Sequence, residues 1–414
     1  MFNVEDFLLL VSSTLFLSYI SGLFYTKTKI PDIVWLLLFG YLLGPVLKFF
    51  DKGMFLAMFP LIILVVVAIF SFDTGINVDI SAVIGSVHKS LTLTISTFVA
   101  IVLAVGLFLN LLMPDQFNLL EGMLLGALIG GLGGISVSGI LDRLRTLMPS
   151  IGKDTVILNL ESTLSDPIRL VACLTLIKMI TLQGVTLEDG LKDILFTFTT
   201  SSIFGVAGGL LWAEVLNLLK ERPFNYIMTI AALFPLYIIS EEVISRGGGP
   251  ITALAFGLAI TNYGYVSRRL GSKRRVLLDK RRIREFNQEI TFLVKAFFFV
   301  YLGLIVSLSA GYAIIGGAII LLVLAVRYAV ATGVSRFLRF TDGERVLSRV
   351  IFMQGASPLI LAQLPIIHDL EGLSFRAPEI YGDLCFPIVL GTIVLVSILG
   401  PVIAREQLRY IELT

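Results

Sequence analysis

Charge, histidine and cysteine are all scarce in this sequence, and each shortage removes a class of function. Only 15% of the 414 residues are Asp, Glu, Lys or Arg, whereas 56% are hydrophobic, and the mean hydropathy is +0.93. Soluble domains carry roughly 25% charge and 45–50% apolar residues, so folding in water is excluded. Two histidines and two cysteines leave no zinc-binding spacing. No Ser/His/Asp set and no phosphate-cradling glycine motif is present, which argues against an enzyme or an ATP-driven pump and implies no cofactor. Cys173 and Cys385 lie in apolar runs without a CxxC or a neighbouring His, and read as small buried hydrophobes. The formal net charge of +2 points to neither nucleic acid nor an acidic partner. The basic flank of a secretory signal is missing as well: Met1 to Asp6 carries acids, so the first apolar run is expected to be retained.

What the chain has in abundance is apolar sequence in membrane-length pieces. About thirteen runs, most of them near the ~18 residues that cross a ~30 Å hydrocarbon core, follow one another from Phe7–Tyr25 to Leu384–Ala404. No soluble domain fits between them, and the fold class is an all-α polytopic membrane protein. Between the ninth and tenth runs lies a loop with Arg268, Arg269, Lys273, Arg274, Arg275, Lys280, Arg281, Arg282 and Arg284. The positive-inside rule makes it cytoplasmic, which with an odd span count puts the N-terminus outside and the C-terminus inside. The loop lacks interleaved aromatics, so topology and anionic lipid explain it better than nucleic acid does.

Two runs are poor uninterrupted helices. The fifth, Leu119 to Leu141, holds Gly126, Gly130, Gly131, Gly133, Gly134 and Gly139 around Ser136 and Ser138; the twelfth, Val346 to Ile367, holds Gly355-Ala356-Ser357-Pro358 and Pro365. They are seven spans apart, an odd offset, so equivalent segments would cross in opposite directions. That pattern predicts an inverted-topology repeat whose binding site lies where two discontinuous helices cross. Close helix packing through small residues is the other reading.

Ionisable residues inside a span face a cavity or a partner, and here they are few. The sixth run contains Glu161-Ser162-Thr163-Leu164-Ser165-Asp166-Pro167-Ile168-Arg169. Asp166 lies ~18 Å along the helix from its cytoplasmic end, near the midplane. Ser162, Thr163, Asp166 and Arg169 share one helical face, and Glu161 points about 140° away from Asp166. Pro167 cannot donate a backbone hydrogen bond, so the Thr163 carbonyl becomes a free hard ligand. Asp166, that carbonyl and the hydroxyls of Ser162, Thr163 and Ser165 form a candidate monovalent-cation and proton site. Arg327, deep in the eleventh run, needs a carboxylate, and Glu161 suits it because pairing Asp166 would withdraw that group from ions. Arg169 either favours the charged form of Asp166 or snorkels to the outer leaflet, and Lys295 is a structural cation or snorkels. Glu241, Glu242 and Arg246 read as a solvated boundary, Asp73 as a candidate lining of a funnel to the site, and His88 and His368 as loop residues.

With these residues in place the chain resembles the monovalent cation/proton antiporters, a superfamily that includes the archaeal and bacterial sodium/proton antiporters and their eukaryotic exchanger relatives. The resemblance rests on the Glu161 to Asp166 spacing followed by Pro167, on Val326-Arg327-Tyr328, on Phe297-Phe298-Phe299-Val300-Tyr301-Leu302-Gly303-Leu304, and on Gly355-Ala356. It implies a homodimer in the plasma membrane, with scaffold helices in 1–80 and 224–309, a linking helix at 191–219, and a transport core in 90–180 and 311–404. It also implies crossed fifth and twelfth spans around Gly133, Gly134, Ser136, Ser138, Gly355, Ser357 and Pro358, elevator-like alternating access, Asp166 as the ion and proton carboxylate, and a Glu161–Arg327 pair. Two departures stand out. Ser165-Asp166 replaces the family's Asn-Asp or Asp-Asp, and Leu132-Gly133 replaces its Thr-Asp, so Ser136 and Ser138 are the oxygen ligands left in that region. The expectation is electroneutral exchange of Na+ or K+ for a proton at one aspartate; a gated potassium channel or efflux pathway, or a non-transporting sensor or scaffold, are the alternatives.

Overall fold

In a solvent that offers no hydrogen bonds, backbone polar groups must be satisfied within the segment, which selects helices for every apolar run. The computed structural model describes residues 4–28, 32–49, 59–78, 80–147, 154–181, 187–219, 227–265, 280–305, 309–369 and 374–413. Every regular element among them is helical. In chain order these are α1 (Val4–Thr28), α2 (Asp32–Tyr41, extended by a π-helical turn, Leu42–Val46), α3 (Phe59–Asn77), α4 (Ile80–Leu112), α5 (Leu119–Ile129), α6 (Gly134–Leu147), α7 (Thr155–Thr181) and α8 (Leu187–Leu218). They are followed by α9 (Ile227–Ile239, with a π turn at Ser240–Ile244), α10 (Gly249–Thr261), α11 (Lys280–Ile305), α12 (Ala310–Phe337), α13 (Asp342–Val350), α14 (Ser357–Leu361), α15 (Leu364–His368) and α16 (Ile380–Leu413). Six of the described helical segments are long and apolar enough to cross a membrane: Leu8–Thr28, His88–Leu112, Leu195–Leu218, Ile227–Ile244, Ala310–Phe337 and Ile380–Leu408. Helix α7 has the length, at 27 residues, but carries Glu161, Asp166, Arg169 and Lys178. Helix α11, at 26 residues, is also long enough but opens on the charged stretch Lys280-Arg281-Arg282, and the remaining apolar runs are shorter or broken helices.

The chain groups into two compact units. The larger comprises residues 1–60, 88–180 and 296–414, and the smaller 61–87 and 181–295. In the larger unit the usual placement of polar groups is inverted. Leu111, Ile314 and Phe337 are exposed, as side chains facing lipid are, while Thr97, Ser165, Arg169, Arg327 and Gln354 are buried beside Leu124, Phe352 and Leu384. In the smaller unit Phe72, Leu233, Phe256 and Ile260 form the apolar core.

The first interrupted run breaks at its glycines, and the second breaks just ahead of Pro358, over a stretch that contains Gly355. Helix α5 opens on a capping box, in which Asn118 accepts from the Glu121 N–H and Glu121 reaches back to the Asn118 N–H. It ends at Ile129, the chain leaves helical geometry through Gly130–Gly133, and α6 begins at Gly134. Helix α13, which leads into the twelfth run, opens on a second capping box, Thr341 with Glu344, and ends at Val350. Residues 351–356 are non-helical before α14 starts at Ser357 with Pro358 in its first turn, where a missing N–H costs nothing.

Two loop assignments are corrected. His88 lies inside α4 and His368 ends α15. The apolar run that begins at Ser90 leaves out the first ten residues of α4, Ile80 to Lys89, because His88 and Lys89 interrupt the apolar sequence without breaking the helix. In the smaller unit Lys295 does not snorkel: its ammonium is 3.5 Å from Asp73, which also accepts from Asn287 at 2.7 Å. Glu241 is a cap rather than a free boundary charge, since its carboxylate accepts the N–H groups of Gly247 and Gly249 at 2.7 and 2.9 Å at the start of α10. Arg268, Arg269, Lys273, Arg274 and Arg275 lie outside the described residues.

Candidate functional site

Helix α7 carries two carboxylates to two different places, both within the larger unit. Five positions separate Glu161 from Asp166, and that phase turns them to different neighbours. Glu161 faces α12. Its carboxylate receives the Arg327 guanidinium in a fork: Nη1 donates to Oε1, and Nη2 donates to Oε2 at 2.9 Å. Arg327 is fully buried, and two of its three other N–H groups are also engaged. Nε donates to the Ser348 carbonyl at 2.6 Å, Nη1 also reaches the Thr97 hydroxyl at 3.2 Å, and the Phe352 ring centroid lies 5.6 Å from the guanidinium carbon. One side chain thus ties α4, α7, α12, α13 and the start of the 351–356 break.

Asp166 sits where the two breaks meet. The Gly133 N–H donates to the Met353 carbonyl at 2.9 Å, a backbone bond joining one interrupted segment to the other. A Cβ on Gly133 would collide with the backbone of Gln354 and Gly355, so the approach requires glycine there. Against this junction, Ser357 donates its hydroxyl to Asp166 Oδ1 at 2.6 Å, and Arg169 Nη1 donates to the same oxygen at 2.7 Å. The Asp166 side chain is 25% exposed while that of Arg169 is fully buried. Gln354 donates its amide to the Ile129 carbonyl at the end of α5, at 2.6 Å, and its carbonyl oxygen lies 3.5 Å from Arg169 Nη2.

The hydroxyls named from the sequence are near the carboxylate in the chain but bonded elsewhere. Ser162 and Thr163 both donate to the Asn159 carbonyl at 2.9 Å, and Ser165 donates to the Glu161 carbonyl at 2.8 Å. Each keeps its lone pairs for a cation, but among the described residues the hydroxyl bonded to Asp166 is that of Ser357. Ser136 is buried in α6 with its hydroxyl unpartnered among the described residues, and Gly134 has open space where a Cβ would stand. The Ser138 side chain lies outside the described residues. Snorkelling by Arg169 is overturned, because an arginine one turn from Asp166 finds its counter-charge within the protein. Gln354, Thr97 and Ser348 were missed. Only Gln354 had a signal, as an amide next to Gly355 in an otherwise apolar run.

A membrane chain whose described elements are all helical, with two broken helices touching beside a carboxylate midway along a third, has the build of a secondary transporter. The family model described as "Sodium/hydrogen exchanger, transmembrane" matches residues 12–406, and the chain belongs to that family. Similar sequences include a K(+)/H(+) antiporter, NhaP2, of Shewanella oneidensis, 24% identical over 78% of this chain. Another is a probable Na(+)/H(+) antiporter of Methanocaldococcus jannaschii, 23% identical over 71% of this chain and 70% of its own length. The chain spans about half the length of the Shewanella relative, 53%. In fold it is similar to the sodium proton antiporter MjNhaP1 of M. jannaschii, with a TM-score of 0.76 at 17% identity, covering 96% of this chain and 97% of that one.

Proposed function

We propose that this protein exchanges a monovalent cation, Na+ or K+, for a proton across the cell membrane, with Asp166 as the carboxylate for which the two compete. The observation that carries the reading is a partly exposed aspartate, midway along α7, at the junction of two broken helices. The names of its relatives, potassium/proton and sodium/proton antiporters, support the same class of activity. Both described partners of Asp166 bind Oδ1, so Oδ2, the Thr163 carbonyl freed by Pro167, and the lone pairs of Ser162, Thr163 and Ser165 are the ligands we assign to a dehydrated cation. A proton on the same carboxylate excludes the cation.

Glu161 is committed to Arg327 and Ser165 does not titrate, so one proton exchanges for one cation and the cycle moves no net charge. The carrier moves by an elevator step around the crossed fifth and twelfth spans of a thirteen-span inverted repeat, with a cytoplasmic C-terminus. Residues 90–180 and 311–404 form the moving core. Residues 1–80 and 224–309 form the scaffold of a homodimer, linked through 191–219. The test is Asp166→Asn in proteoliposomes with an imposed pH gradient, adding each cation in turn. Exchange should vanish while the protein still purifies as folded, and exchange at the wild-type rate would exclude this site. Conductance faster than a conformational cycle would favour a channel instead.

A further inference from the structure

Arg169 is absent from the ion-binding assignment above, and its surroundings are unusual for a buried charge. A guanidinium has five N–H donors, and a fully buried one ordinarily has most of them bonded. Arg327 meets that expectation with four hydrogen bonds to Glu161, Ser348 and Thr97. Arg169 is equally buried but has one strong partner, Asp166 Oδ1 at 2.7 Å. Its contact to Gln354 is long, 3.5 Å, and its Nε is without a partner among the described residues. The Gly131 backbone walls it in, since a Cβ there would stand 2.8 Å from Nη2 and 2.8 Å from the Ser165 Cβ. The positive charge therefore depends on the one carboxylate that the exchange reading assigns to the transported ion.

We infer that Arg169 is a tethered cation that competes with the transported ion, and with the proton, for Asp166. The inference rests on the exchange reading of that residue. With the site empty, the Asp166–Arg169 pair neutralises itself. When a proton or a metal cation takes the carboxylate, a fully buried guanidinium loses its counter-charge, and that penalty is subtracted from the binding of either ligand. Gln354 is the alternative acceptor within reach, and because it is bonded to the last carbonyl of α5, displacing Arg169 towards it would carry occupancy of the site to the junction of the broken helices. Arg169 is thus a positioning residue that lowers apparent cation affinity, and its effect on proton and cation alike leaves the one-for-one stoichiometry intact.

The experiment compares wild type, Arg169→Gln, Arg169→Lys and Asp166→Asn as full-length purified protein, with NaCl and KCl as probes. Two quantities are read: the KM and maximal rate of exchange in proteoliposomes, and the cation concentration giving half-maximal thermal stabilisation in detergent, which tracks binding without transport. Arg169→Gln should lower both KM and the stabilisation midpoint about tenfold, equivalent to ~1.4 kcal/mol, with a smaller change in maximal rate. Arg169→Lys, which keeps the charge without the planar fork, should fall between it and wild type. Asp166→Asn should abolish cation-dependent stabilisation. A purely structural role would change protein yield and stability but not the cation dependence. If Asp166→Asn is inactive and Arg169→Gln keeps the wild-type KM and midpoint, or raises them, the competition is wrong and the exchange reading survives. If Asp166→Asn exchanges normally, the exchange reading itself fails. Should Arg169→Gln not fold, Arg169→Lys decides, and an unchanged KM and midpoint in it overturn the inference.

Discussion

Replacing Arg327 by Gln is the most informative perturbation of the larger unit's interior. The Glu161 side chain is 3% exposed, so removing the guanidinium strands a carboxylate whose two oxygens both accepted from it. Truncating one member of a truly buried pair costs about 3–5 kcal/mol, because an uncompensated charge remains. The Ser348 carbonyl also loses the donor it met at 2.6 Å, and an orphaned buried acceptor adds about 1–3 kcal/mol. Glu161→Gln should cost less than Arg327→Gln, since an amide still accepts one bond from the fork and leaves the Ser348 and Thr97 contacts in place. The double variant removes both charges together, so its loss should be well below the sum of the two single losses, by a coupling on the order of 1–3 kcal/mol. The assay is the thermal unfolding midpoint of the three variants and wild type in one detergent at one pH. Strictly additive shifts would refute the claim that the two side chains stabilise one another.

Other consequences are open to measurement. Gly133→Ala should abolish exchange and lower the unfolding midpoint, because the new methyl meets backbone atoms of Gln354 and Gly355 that cannot move aside as a flexible side chain does; normal activity would show that the two breaks separate readily. At a fixed pH gradient, neither the initial rate nor the final cation gradient should depend on a membrane potential clamped with an ionophore, although 100 mV biases each moved charge by ~2.3 kcal/mol. A systematic dependence would require a second protonatable group. Lys89→Ala serves as a control: its pair with Glu344 spans 2.9 Å, but Lys89 is 38% exposed, and such pairs contribute about 0–1 kcal/mol. A large loss there would mean the solvated end of α4 matters more than its exposure indicates.

The sequence alone determined the properties that depend on local composition. Apolar runs in lipid have helix as their solution, so the helical class was legible, as was the interruption at Gly130–Gly133; the second break, 351–356, contains Gly355 but begins four residues before it, with Pro358 already inside α14, so its extent was not legible. Helical phase also showed that Glu161 and Asp166 face different neighbours. It left the fate of Arg169 open, since a long side chain one turn from an aspartate can turn inward or reach for the headgroups. Only the tertiary structure decided that choice, by closing Gly131 and Gln354 over the guanidinium. It also decided that the hydroxyl bonded to Asp166 belongs to Ser357, which is 191 positions away in the chain, while Ser162, Thr163 and Ser165 bond back to their own helix. Hydroxyls in a helix always have a carbonyl within reach one turn back, so local spacing favours that bond, and a partner from a distant broken helix is set only by how the two breaks pack.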